Sequence, residues 1–156
     1  CVSLIGALGV GRQATQFTLF ASAVDQVYLR GFIGMALSGA VYSVAPRLLG
    51  QEWPGQRWAR LHWMLALAAV GLWGTVDAAA GIVQGNLLND AGVAVPDVAR
   101  RLRPFLWTGT LAHALYWAGS LVLASNLVWL LARAIRVRMR PVAREWLEPV
   151  IREGRA

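Results

Sequence analysis

The sequence predicts an all-α integral membrane protein whose three transmembrane helices form part of a larger helical bundle. Hydrophobic residues make up 57% of the 156 residues and charged residues only 15%, whereas an average soluble domain is about one quarter charged. A spanning helix needs about 20 mostly apolar residues. Segments 21–45, 61–88 and 105–131 meet this requirement, and each is therefore predicted to cross a membrane.

These three segments divide the chain into regions. We expect a three-helix transmembrane domain over residues 15–132 and an Arg-rich tail over residues 133–156. Pro46 is expected to end the first span, and a short surface helix is expected after Pro96. Residues 1–14 are too short to span alone and are interpreted as the end of a preceding helix. The start at Cys1 suggests a processed chain or a piece of a longer one, and lipid modification of Cys1 is the alternative.

The distribution of arginine predicts the orientation. All fifteen basic residues are Arg, and ten of them lie in the loop after the first span or in the C-terminal tail. Cytoplasmic loops carry the excess of basic residues, so the C-terminus is predicted to be cytoplasmic in a bacterial inner membrane. This topology explains the +7 net charge without a nucleic-acid partner. Four arginines are expected to face anionic lipid, or else to act only as a stop-transfer tail: Arg133, Arg136, Arg138 and Arg140.

Five charged or histidine residues fall within the predicted spans. Asp77 lies near mid-span, where an ionised carboxylate is costly. It is interpreted as an inter-helix hydrogen-bonding group, as a proton relay, or as a residue of a span displaced toward the outer interface. Asp25 and Arg30 are read as an ion pair to a partner subunit or as two interfacial charges. His62 is expected to anchor a helix end at the interface. His113 is expected to be a hydrogen-bonded neutral group, with haem or pigment ligation as the alternative.

Small residues recur at spacings of three and four in the first two spans, which allows close helix approach in membranes. The predicted packing positions are Gly31, Gly34, Ser38, Gly39, Gly81 and Gly85. The single cysteine excludes an internal disulfide and any metal cage built from cysteines. Two histidines on different helices do not form a metal site by themselves, and no phosphate-binding loop or catalytic triad is evident.

Several short motifs resemble the C-terminal helices of the catalytic subunit I of C-family (cbb-type) haem-copper oxidases, and more distantly the large subunit of nitric oxide reductase. They are "TQFT" at residues 15–18, "GAVYSVAPRLLG" at 39–50, "LHWMLA" at 61–66, "AGIVQG" at 80–85, and "RPFLW" and "LASNLVWL" in the last span. The resemblance covers most of residues 12–132. It implies a helical membrane fold and cytochrome-containing partner subunits of a respiratory complex.

The resemblance also exposes a missing feature. The family has His-x-His after the "TQFT" motif, one imidazole for each haem iron. Counting forward from that motif places the two positions at Ala21 and Ala23, and counting back from "APRL" places them at Val24 and Gln26, a difference of about three residues. None of these side chains can replace an axial imidazole. We therefore expect no cofactor on this chain and no catalytic residues, although partner subunits would carry haem.

The predicted function is accordingly that of a non-catalytic membrane subunit, a scaffold or docking surface in a respiratory or related electron-transfer complex. One alternative is the C-terminal portion of a divergent oxidase or reductase catalytic subunit. A second alternative is a small proton or ion transport component that uses Asp77.

Overall fold

The computed structural model describes residue 15 and residues 17–153, with side chains described as far as Pro141. The described residues form helices without a strand: α1 (Leu19–Gln26), a π-helix π1 (Val27–Gly34), α2 (Met35–Leu49), α3 (Gln56–Leu88) and α4 (Val95–Glu153). The predictions made for residues 1–14, including Cys1, and for the end of the tail lie outside these residues.

Three helices are long and apolar enough to cross a membrane. They are Leu19–Leu49, which joins α1, π1 and α2 without a break, Gln56–Leu88, and Val95–Pro141. This agrees with the all-α class and the three spans expected from composition. The prediction missed π1, because a π-helix differs from an α-helix only in its wider turn and has no distinctive composition.

Pro46 does not end the first span, contrary to expectation. α2 continues through Pro46 to Leu49 and stops at Gly50, whose φ of 60° is the left-handed conformation that favours glycine. A proline within a helix leaves the carbonyl four residues earlier without its amide donor. Here that carbonyl belongs to Tyr42, and the indole N–H of Trp53 donates to it at 2.8 Å. The loop after α2 therefore supplies the hydrogen bond that Pro46 cannot.

We expect Trp53→Phe to lower the free energy of unfolding by about 1 kcal/mol, because the Tyr42 carbonyl loses its donor while an aromatic ring is kept. In a Pro46→Ala background the residue-46 amide can donate instead, so the same change should cost less than half as much. The measurement is a double-mutant cycle by chemical denaturation in micelles. Equal costs in the two backgrounds would show that the indole does not replace the missing amide.

α1 crosses α3 at a point of direct backbone contact. A Cβ on Gly81 would lie 2.6 Å from the Phe20 Cα and would also collide with the Phe20 amide nitrogen. The neighbouring Gln84 side chain accepts a hydrogen bond from the Leu19 amide at 2.9 Å, and Thr18 caps the Phe20 amide. The start of the first span is therefore held by its own N-cap and by a side chain from α3.

The last helix is much longer than a bilayer requires. At about 1.5 Å per residue, the 59 residues of α4 extend over about 90 Å, roughly three times the hydrocarbon thickness. The expected surface helix after Pro96 is not separate, because α4 begins at Val95 and continues through Pro104. α4 also continues without a break past residue 133, where the predicted tail begins. Near its start, Val98 and Leu102 pack with Ala80 of α3 in a small apolar core.

Candidate functional site

A group of polar and aromatic side chains lies between the three spans, around Trp73 of α3. Trp73 is only 4% exposed. The Arg30 guanidinium carbon lies 4.0 Å from the Trp73 ring centroid and 5.2 Å from that of Tyr116. The His113 ring centroid is 3.6 Å from that of Trp73. Asp77 lies one helical turn after Trp73 and lines the same cavity as Trp73 and His113. We call Arg30, Trp73, Asp77, His113 and Tyr116 the Trp73 cluster.

The ion pair that Asp25 and Arg30 were expected to form with a partner subunit stays a prediction; within this chain, aromatic rings contact Arg30. Arg30 lies in π1, where it stacks on Trp73, while Asp25 is exposed. Within the part of the chain that the structure describes, the one salt bridge joins Arg100 and Asp97. The Nη1 atom of Arg30 is buried and has no hydrogen-bond partner there. Aromatic faces therefore provide the main favourable contact for this cation, an interaction that strengthens when water is excluded.

His113 is oriented by its own helix. Its Nδ1 lies 2.8 Å from the Gly109 carbonyl oxygen, and because a carbonyl can only accept, Nδ1 carries the hydrogen. Nε2 is then left to accept a proton or another hydrogen bond. Gly109 also faces the carboxylate of Asp77, since a Cβ there would lie 3.5 Å from Oδ1. This distance is an ordinary van der Waals contact, so α4 packs against Asp77 at this position.

The cluster borders a cavity of about 510 Å³ between α1, α3 and α4. Its polar lining comes from Ser22, Gln26, Asp77, Thr110 and His113. A carboxylate and an imidazole facing one space can exchange a proton through an intervening water. The described residues contain no group of three or more His, Cys, Asp or Glu that could hold a metal ion. The arrangement of Asp77 and His113 suits proton exchange or structural hydrogen bonding.

His62 occupies a second buried polar region and is not an interfacial anchor. It is 4% exposed, and its Nδ1 lies 2.9 Å from the Gly119 carbonyl oxygen of α4. The Tyr42 ring packs beside it at a centroid distance of 5.7 Å. Gly119 permits this approach, because a Cβ there would lie 3.3 Å from the Leu65 Cβ. His62 thus joins α3 to α4, a role that its position at the start of an apolar run did not reveal.

Sequence reasoning also missed Asn126. Its side chain is only 2% exposed, and neither of its polar atoms has a hydrogen-bond partner among the described residues. The buried hydroxyl of Tyr42 lies close to this amide, although the two groups do not meet with good hydrogen-bond geometry. A polar amide in an otherwise apolar span was the available signal, since such residues are enriched between membrane helices.

The glycines predicted for helix packing have different surroundings. A Cβ on Gly31 would lie 3.0 Å from Val70, and one on Gly34 would lie 3.1 Å from the Tyr116 hydroxyl. Gly81 makes the backbone contact with Phe20, and Gly85 is buried. A Cβ on Gly39 would have no neighbour within 4 Å. Ser38 donates its hydroxyl to the Gly34 carbonyl at 2.8 Å, within its own helix.

The positions at which the resembling family carries haem ligands lie on different faces of the first span. Ala21 is exposed, Ala23 is buried, Val24 lines an apolar groove and Gln26 lines the polar cavity. The apolar groove has a volume of about 720 Å³ and lies between the first span and α3. Its lining includes Ala23, Val24, Val27, Tyr28, Phe32 and Gly74; we call it the α1–α3 groove.

The described part of the chain is all-helical, with three helices long and apolar enough to cross a membrane, as in a multi-pass membrane protein. Comparison with protein-family models, with curated proteins and with solved structures found no match to this chain.

Proposed function

We propose that the chain is a non-catalytic integral membrane subunit of a respiratory or related electron-transfer complex, in which it acts as a scaffold or docking surface. The observation that supports this most directly is the uncovered first span. In its most apolar stretch no residue is buried by the rest of the chain, and the α1–α3 groove lies beside it. An apolar transmembrane helix of another subunit would fill that groove.

The missing imidazoles support the non-catalytic part of the proposal. Neither alignment with the cbb-type oxidases puts a haem ligand on the first span, because Ala21, Ala23, Val24 and Gln26 occupy the possible positions. The π-helix π1 lies between the two motifs from which these positions were counted. A π-helix takes up more residues per unit length than an α-helix, which offers a structural account of the extra residues in that interval.

The proposed membrane, orientation and neighbouring subunits are based on the sequence. A bacterial inner membrane, a cytoplasmic C-terminus and cytochrome-containing neighbours are implied by the arginine distribution and by the resemblance. The alternative that this chain is the C-terminal part of a divergent catalytic subunit predicts that its peptides occur in one polypeptide with upstream helices. Mass spectrometry of the intact protein from native membranes separates the two possibilities.

Site-specific photo-crosslinking tests the docking surface. A photoreactive residue at Tyr28, which is 59% exposed in the groove, should capture one defined membrane protein. The control position is Trp117, which is 66% exposed and outside the groove, and it should capture lipid. Equal capture at both positions would contradict the docking proposal. A reduced-minus-oxidised spectrum that shows stoichiometric b-type haem on the isolated chain would contradict the cofactor-free proposal.

A second candidate function, proton transport, is favoured by the facing of Asp77 and His113 into one cavity. Asp77→Asn removes the titratable group but keeps a side-chain oxygen that can accept a hydrogen bond. The scaffold proposal expects this variant to assemble normally, to change stability by less than about 1 kcal/mol, and to leave proton movement by the complex unchanged.

Proton uptake by vesicles containing the complex is the measurement, and Asp25→Asn is the matched control because Asp25 is exposed. Loss of uptake in the Asp77 variant alone, with assembly intact, would favour transport and overturn the purely structural role.

A further inference from the structure

Three arginines of α4 form one side of a cleft beside the loop that joins α2 to α3. Arg133, Arg136 and Arg140 are spaced by three and four residues, which places them on one helical face. They line a cleft of about 430 Å³ together with Gln51 and Pro54 of the loop. Arg138 lies outside this set. Three of the four arginines that were predicted to form a lipid-facing tail therefore line the cleft.

No described acidic side chain forms an ion pair with the arginines of the cleft, and Glu52, which follows the lining residue Gln51, is exposed and makes none. None of the residues that line the cleft is acidic, and the salt bridge between Arg100 and Asp97 lies at the other end of α4. Three guanidinium groups remain charged at any physiological pH, and each offers a planar set of donors that matches two phosphate oxygens. The chemistry of the cleft is thus that of a phosphate-binding site.

An apolar groove continues from the cleft along the same helix. It has a volume of about 260 Å³, and Leu121, Val122 and Trp58 contribute to its walls. Trp129 lines both the groove and the cleft. The eight residue steps from Leu121 to Trp129 correspond to about 12 Å of helix, which is long enough to contact much of one leaflet's acyl chain. A charged head and an apolar tail could therefore occupy adjoining spaces.

We propose that the cleft and groove together bind one phospholipid with two phosphates, of the diphosphatidylglycerol (cardiolipin) class. Its phosphates lie against Arg133, Arg136 and Arg140, and one acyl chain passes Trp129 into the groove. Three fixed positive charges complement a headgroup of charge −2 better than a single phosphodiester of charge −1. Basic pockets at the cytoplasmic ends of membrane helices are a known class of site for such headgroups. The adjoining groove favours a lipid over a free phosphate.

The test is native mass spectrometry of the purified chain after stepwise delipidation and titration with cardiolipin, phosphatidylglycerol or phosphatidylcholine. The wild-type chain should retain one cardiolipin, with at least tenfold preference over phosphatidylglycerol. A triple Arg→Gln variant at positions 133, 136 and 140 should lose that retention by at least tenfold. A matched triple variant at Arg101, Arg103 and Arg138 removes the same charge outside the cleft and should retain cardiolipin within twofold.

Other outcomes overturn specific parts of the proposal. Equal loss in the two triple variants would show a general effect of charge, with no defined site. Equal retention of phosphatidylglycerol would refute the requirement for two phosphates. Complete displacement of cardiolipin by inorganic pyrophosphate would identify a site for soluble phosphates. In that case Leu121→Trp, which fills the groove, would not change the retention of cardiolipin. If the triple variant fails to fold by circular dichroism, Arg136→Gln alone should still lower retention severalfold, and unchanged retention would refute the site.

Discussion

Gly81→Ala is expected to detach the first span from α3 and to lower the free energy of unfolding by about 3 kcal/mol or more. The added methyl group would lie 2.6 Å from the Phe20 Cα and would also meet the Phe20 amide. Overpacking typically costs about 1–3 kcal/mol when side chains can adjust. Here the obstacle is backbone, so the helices must separate. The Leu19 amide would then lose the Gln84 oxygen that caps it.

The measurement is denaturation of the isolated chain in micelles, followed by circular dichroism and tryptophan fluorescence. Gly71→Ala is the matched control, because it introduces the same methyl group on the same helix with no atom within 4 Å. Alanine favours a helix over glycine by about 1 kcal/mol, so the control should be neutral or slightly stabilising. Similar stability of the two variants would show that α1 and α3 are not in backbone contact at Gly81.

Trp73→Ala is expected to cost about 3–5 kcal/mol, the range observed when a buried large aromatic residue is truncated. The indole is the shared surface of the cluster, with Arg30 stacked on it and the His113 ring 3.6 Å away. Its removal leaves a cavity and also deprives the partly buried Arg30 guanidinium of its nearest aromatic face. Truncation should therefore affect all three spans at once, because the contacting residues belong to π1, α3 and α4.

The control is Trp107→Ala on α4, where the side chain is 66% exposed and its loss should cost less than about 1 kcal/mol. A second variant, Arg30→Met in the Trp73→Ala background, tests the reason for the effect. If part of the loss in stability arises from the Arg30 charge left without the Trp73 ring, the neutral methionine should recover that part. No recovery would assign the whole cost to the cavity.

The spans were predictable because their evidence is local. Twenty or more apolar residues in succession are sufficient to indicate a membrane-spanning helix, and three such stretches were found where the structure has three suitable helices. Their ends were less predictable. Proline 46 was expected to end α2, but the missing hydrogen bond is provided by Trp53, eleven residues from the Tyr42 carbonyl that receives it. No local pattern reveals a donor that arrives from a loop.

The polar residues were likewise predictable only in part: their importance could be inferred from the sequence, but their contacts could not. Asp77 and His113 were notable because a polar group within an apolar run is costly unless it has a partner. Their common cavity was not predictable, because it depends on the relative rotation of α3 and α4. Arg30 was notable as a charge in the first third of an apolar span, but its stacking on Trp73 was not predictable, because it depends on how π1 packs against α3.

By itself the sequence determined that this protein is rich in helix-forming apolar segments and that three of them can cross a membrane. It also determined that the first span contains no histidine. Each of these properties depends on residue type and on spacing along one segment. Only the tertiary structure decided that Gly81 meets the Phe20 backbone, that Trp73 gathers a cation, a carboxylate and an imidazole, and that three arginines adjoin an apolar groove. Those arrangements depend on how distant segments are rotated and brought together, which no single segment encodes.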